Sequence, residues 1–97
     1  MRIIKRKTLS DYWAKHADAR PSLQSWFAEA QNASWKSPDE IVKSYPYADP
    51  IADNRIVFNI KGNSYRLVVK IHYNTGVIFI RFIGTHAEYD KIDAEKI

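Results

Sequence analysis

Between Arg55 and Ile83 the chain alternates apolar and polar residues in three runs, Ile56–Ile60, Tyr65–Tyr73 and Val77–Ile83. A period of two belongs to strands, because successive side chains of an extended chain point to opposite faces. In the middle run Tyr65, Leu67, Val69, Ile71 and Tyr73 fall on one face, and Arg66, Val68, Lys70 and His72 on the other. The separators "KGNS" and "NTG" are turn formers. A turn at Gly62-Asn63 pairs Ile60 with Tyr65, which sets Ile56 and Phe58 opposite Val69 and Leu67, and Asn59 opposite Arg66. In the last run Ile78, Ile80 and Phe82 are expected to be buried, because the alternate set contains Arg81. A Thr75-Gly76 turn pairing Asn74 with Val77 then places Arg81 opposite Lys70. A slip of one residue would drive Arg81 into the core, and the cost of burying an unpaired charge selects this register. The expected sheet is an antiparallel three-stranded meander with one greasy face. Its other face carries Asn59, Arg66, Lys70 and Arg81, flanked by Val57, Val68, Phe79 and Ile83, and reads as an open platform rather than a second core.

The first half supplies what covers the greasy face. "RII" at Arg2–Ile4 reads as a short N-terminal strand. Leu9, Tyr12, Trp13 and His16 then recur at helical spacing, with Thr8 or Ser10 available as cap. Pro21 marks the start of a second helix with the stripe Leu23, Trp26, Phe27, Ala30 and Ala33, and its large aromatics read as core. Ser37-Pro38-Asp39-Glu40 has the form of a capping box and opens a short helix through about Lys43. Ser44 to Asn54, with Pro46 and Pro50, reads as loop. The fold class is α+β: a short strand, two packed amphipathic helices, a short helix, the meander and a short C-terminal helix.

Ninety-seven residues make a single domain, 1–97, with no room for a separate binding domain. Cysteine is absent, which excludes disulfides, thiol catalysis and cysteine-bound metal. His16, His72 and His86 lack ligand spacing, so neither a metal nor a cofactor is expected. No secretory signal or membrane span fits, and the expected compartment is the cytoplasm. The net charge is only +4, but it is segregated. From Asn54 through Ala87 there is no acid, while Arg55, Lys61, Arg66, Lys70 and Arg81 are all present. A phosphate backbone is the partner that such a distribution favours.

Chemistry concentrates in "IRFIGTHAEYDKID", Ile80–Asp93. Gly84 permits a sharp turn, and Thr85 caps a helix on which His86, Tyr89 and Asp90 share a face. A histidine, a tyrosine and several cations along a groove suit RNA cleavage by its own 2′-hydroxyl. That reaction needs a base, an acid and positive charge at the phosphorane, and no metal. His86 is the acid–base candidate, Tyr89 donates or stacks, and Arg66, Lys70 and Arg81 hold the phosphate.

The stretches "NRIVFNIKGNSYRLVVKIHY" and "IRFIGTHAEYDKID" are similar to the HigB-type toxins of bacterial type II toxin–antitoxin systems, within the RelE/ParE superfamily. The signature "VFNIxGNxYRLV" followed by "IGTHxEYDxI" stands here nearly whole. The resemblance is specific over Asn54–Ile92 and extends to the N-terminal helices. It implies a RelE-like fold and a ribosome-dependent endonuclease that cuts translated mRNA against the ribosome and its rRNA. It also implies a HigA-type antitoxin with a helix-turn-helix domain, through which the pair reaches operator DNA. Carried across by motif position, Arg66, Arg81, His86 and Tyr89 are the catalytic set. Asn59, Lys61 and Lys70 are the RNA-binding set, with Asn59 and Lys70 further from the His–Tyr end. Some superfamily relatives attack gyrase, so a non-catalytic toxin or RNA-binding module that acts by occupancy is the alternative.

Overall fold

A computed structural model describes residues 1–97. Strand β1 (Arg2–Ile4) leads into helices α1 (Arg6–Lys15) and α2 (Arg20–Asn32), joined by a 3₁₀ turn at Ala17–Ala19. Helix α3 (Pro38–Ser44), strands β2 (Asp49–Ile51), β3 (Arg55–Ile60), β4 (Tyr65–His72) and β5 (Val77–Thr85), and helix α4 (His86–Tyr89) follow. The five strands form one sheet in the order β1-β5-β4-β3-β2, antiparallel except for β1 against β5. The expected meander is therefore its centre. Strand β2 lies inside the segment read as loop; it pairs Asp49–Ile51 with Arg55–Val57. Its Pro50 hid it, yet proline is tolerated on an edge strand, where one row of N–H groups needs no partner.

Helices α1 and α2 cover one face. Leu9, Leu23, Trp26 and Ala30 pack there on Ile56, Phe58, Leu67, Val69, Ile71, Ile78 and Ile80. The caps differ from expectation. Helix α1 begins two residues before Thr8, after Lys5 in the left-handed region (φ 71°), because β1 must reverse at once. Ser37 makes no capping bond, and Glu40 instead accepts the Lys36 N–H at 3.2 Å.

The β3–β4 register is the one expected, Ile60 on Tyr65, Phe58 on Leu67 and Asn59 on Arg66. The β4–β5 register is not. Strand β5 starts opposite His72 rather than Asn74, across a four-residue loop closed by Gly76 (φ 69°). Lys70 consequently faces Phe79, and Arg81 has no partner, because a β-bulge interrupts the ladder between Val68 and Val69. An extra residue in one strand reverses the parity of all that follows. Ile83 thus joins the main core opposite Leu67, and Phe82 moves to the outer face opposite Val68. The bulge, and not alternation alone, keeps Arg81 exposed.

The outer face is not an open platform along its whole length. The chain after α4 folds back so that Ala94 packs on Val57 and Val68, with Ile51, Phe82, Tyr89 and Ile97 around them. Arg55, only 5% exposed, anchors this return: its Nε donates to the Ile97 carbonyl oxygen at 2.7 Å and its Nη1 to Asp53 at 2.9 Å. A small second core therefore covers much of that face and leaves Arg66 at its margin.

Candidate active site on the outer face

Arg66 projects from β4 opposite Gly84 of β5. Glycine suits close approach there rather than a turn, because a Cβ would lie 2.5 Å from Phe82 Cζ and 3.1 Å from Glu88 Cβ, so the Phe82 ring would have to shift to admit one. With no side chain on that neighbour, the Arg66 guanidinium reaches the ring of Tyr89, 5.8 Å from its centroid. Its Nη1 donates to Asn59 Oδ1, while its Nε is buried without a hydrogen-bond partner. Asn59 thus sits beside Arg66 rather than at a distance from the His–Tyr end.

Thr85 caps α4 as its position suggests. Its Oγ1 accepts the Glu88 N–H at 3.1 Å, and Glu88 Oε1 accepts the Thr85 N–H at 2.7 Å, closing a full capping box. The box fixes the first turn, which sets His86 Nδ1 3.1 Å from Asp90 Oδ2. A carboxylate on Nδ1 holds the tautomer whose Nε2 is free toward solvent, the arrangement a proton-transferring imidazole needs. Tyr89 leaves this pair and turns under Arg66. Burial pushes its hydroxyl pKa up, nearby Asp49 adds to that, and Arg66 opposes it.

The basic residues divide sharply. The ion pairs of the chain use Lys7, Arg55, Lys61, Lys70, His86 and Lys96, and none uses Arg66 or Arg81. Lys70 lies four residues along β4 from Arg66, roughly 13 Å at strand rise, and is held by Asp53 at 3.1 Å. Asp53 also takes Arg55, and these two cations hold its carboxyl below the usual range. Lys61 sits in the β3–β4 turn, held by Asp18 at 2.9 Å toward the helical layer. The structure therefore brings together Arg66, Asn59 and Tyr89, sets His86 two residues beyond Gly84, and leaves Arg81 exposed on the bulge. Lys61 and Lys70 stand apart with acids of their own.

Three further residues escaped the sequence reading. Tyr12 of α1 donates to Glu88 Oε1 at 3.1 Å and stacks on His16 at 4.2 Å, so the capping box is braced from the helical layer. Burial and this bond raise the Tyr12 pKa, and the Thr85 N–H, with Tyr12, lowers that of Glu88. Only the T-x-x-E spacing signalled any of this.

A family model described as HigB toxin, the RelE-like toxic component of a toxin–antitoxin system, matches residues 19–92. The chain belongs to the HigB toxin family. Among its HigB relatives is the mRNA interferase toxin HigB of Escherichia coli, 28% identical over 92 residues, 93% of this chain and 88% of the relative. The mRNA interferase HigB of Shigella flexneri matches to the same extent. A second Escherichia coli mRNA interferase HigB is 24% identical over 94 residues, 95% of this chain and 91% of its own. The HigB family match spans α2 to the end of α4 and includes Asn59, Arg66, Arg81, His86, Glu88 and Tyr89, but not Tyr12 or His16.

Proposed function

We propose that this protein is an mRNA interferase toxin that cuts transcripts on the ribosome, in the cytoplasm, and is neutralised by a HigA-type helix-turn-helix antitoxin. The toxin and antitoxin together repress their own operon through operator DNA bound by the antitoxin. The observation that carries the reading is Arg66, a half-buried cation with no acid to neutralise it, fixed by Asn59 over Tyr89. A protein keeps such a charge only at a cost in desolvation, and an anionic ligand offsets it. The names of the relatives, mRNA interferases, support a phosphodiester as that anion.

In the reaction the RNA 2′-oxygen attacks the adjacent phosphorus, forming the O2′–P bond as the P–O5′ bond breaks. His86 Nε2 takes the 2′-hydroxyl proton, with Asp90 on Nδ1 holding the ring. Tyr89, kept protonated by its surroundings, donates to the leaving 5′-oxygen. Arg66 and Arg81 stabilise the extra charge of the phosphorane, and Asn59 fixes Arg66. The products are a 2′,3′-cyclic phosphate and a 5′-hydroxyl. The ribosome supplies the alignment of the RNA, so the protein itself needs few groups. Arg66 and Arg81, which no acid neutralises, add long-range attraction for rRNA, weakened by salt, whereas Lys61 and Lys70 are offset by Asp18 and Asp53.

The test is induction without antitoxin in cells carrying paired reporters that differ only in a start codon. Growth arrest with new 5′ ends confined to the translated reporter is expected. Arrest with intact transcripts and halted DNA synthesis would overturn the reading in favour of a gyrase-type toxin.

A further inference from the structure

Strand β2 covers the edge of β3 only as far as Val57. Beyond it, Phe58 and Asn59 border a cavity of 380 Å³ between the Tyr45–Ala48 loop and the β3–β4 turn. Its volume lies in the range of small-ligand sites, which start near roughly 300 Å³. Tyr45, Pro46 and Phe58 give it apolar walls, Asn59 and Asn63 bring carboxamides, and no charged side chain lines it. The loop is a formed turn, with the Ala48 N–H on the Tyr45 carbonyl at 2.9 Å and proline at its second position. That turn holds out Tyr47, the one large hydrophobic side chain left exposed, at 84%. Asn59 joins the cavity to the phosphate site, because its Oδ1 is taken by Arg66 and its other amide atom remains available.

We propose that this cavity takes one unstacked base of the RNA whose phosphate Arg66 holds, with the Tyr47 ring stacked on the base. Asn63 lies on the hydrogen-bonding edge of that base and gives the toxin its base preference. The inference rests on the nuclease reading and extends it to a substrate subsite. An aromatic platform serves any base, whereas a carboxamide carries both donor and acceptor and discriminates among them. A second cavity that also borders Asn59 is lined by the Glu29 carboxylate and by Lys61, whose ammonium is already paired with Asp18, so it has no exposed aromatic platform and no free cation for a base or phosphate.

The experiment maps transcript 5′ ends after antitoxin-free induction of the full chain and its Tyr47→Ala, Tyr47→Trp and Asn63→Ala variants. Stacking of one base on an aromatic ring predicts that Tyr47→Ala lowers cleavage about 10- to 100-fold. Tyr47→Trp restores it, and Asn63→Ala relaxes the base preference at one position relative to the cut. Both residues are exposed, so soluble yield and thermal midpoint stay at wild-type values. Wild-type rate and pattern in Tyr47→Ala and Asn63→Ala overturn the subsite while the nuclease reading stands. The same variants are also co-expressed with the antitoxin: loss of neutralisation there, with unchanged cutting in its absence, overturns the subsite by making the loop a protein contact. Intact RNA under wild-type induction removes the nuclease reading and the subsite with it.

Discussion

Replacing Arg66 by methionine separates the two roles an arginine in a sheet can have. If Arg66 is structural, the fold loses a hydrogen bond to Asn59 and a contact with the Tyr89 ring. Those are worth about 1.5–3 kcal/mol for a charged hydrogen bond and about 0.5–1 kcal/mol for a cation–π contact. Against them stand the buried, partnerless Nε, about 1–3 kcal/mol, and the desolvation of a guanidinium with no acid beside it. Methionine keeps the aliphatic contact with Tyr89 and removes both penalties. The balance is near zero, so Arg66→Met should change stability by less than about 1 kcal/mol, or about 4–8 °C in Tm for a domain of this size. Cleavage should fall much further, by roughly 10²–10³-fold, the loss seen when one preorganised donor to a developing oxyanion is removed. The assays are thermal unfolding of purified protein and end mapping of transcripts after induction. A variant that unfolds well below wild type yet cuts normally when folded would make Arg66 a structural strut and not a phosphate ligand.

Other variants probe the remaining parts. His86→Gln should lower cleavage by roughly 10²-fold, the usual worth of a general acid–base group, and Asp90→Asn by less; wild-type activity in both variants would remove the His–Asp pair from the chemistry. Gly84→Ala sets a methyl against Phe82 and Glu88 and should cost about 1–3 kcal/mol, read by thermal unfolding. An unchanged midpoint there would show that the outer-face packing is loose. The carboxyls of Asp18, Asp53 and Glu88 all have depressed pKa values, set respectively by Tyr65 and Lys61, by Lys70 and Arg55, and by the Thr85 N–H with Tyr12. Their folded-state pKa values lie below those of the unfolded chain, so their contribution is whole above about pH 5, clear of the unfolded carboxylate values, and is lost as pH falls further. Asp53→Asn should make that acid loss shallower in a pH series of unfolding curves, and an identical slope would mean that the Asp53 clamp carries no linkage.

Alternation carried most of the centre of the fold. The β3–β4 register followed from the parity of Tyr65, Leu67 and Val69 and from the length of one turn. Parity failed at Arg81, because a bulge is a local departure that a strictly alternating pattern cannot announce. Ile83 and Phe82 exchanged faces as a result. One sheet edge was hidden as well, since β2 has only three residues, one of them Pro50, and too little length to show a period, whereas β1 was read at its observed bounds, Arg2–Ile4. Within the site, His86, Tyr89 and Arg66 were legible as residue types at particular spacings. The split among the cations was not. Asp53 and Asp18 lie outside the acid-free stretch in sequence, yet the fold returns them to Lys70 and Lys61. Charge counted along the chain overstated the positive surface and understated how distinct Arg66 is.

In the proposed reaction the RNA 2′-hydroxyl does the cutting on the ribosome while the outer face supplies a proton-transfer group and positive charge. Purified wild-type protein mixed with ribosomes programmed with a defined mRNA tests it directly. Fragments ending in 2′,3′-cyclic phosphate and 5′-hydroxyl are expected, with no cut when the scissile nucleotide is 2′-O-methylated and none without ribosomes. Cutting of the methylated RNA, or fragments bearing 5′-phosphate, would show that the 2′-hydroxyl is not the nucleophile.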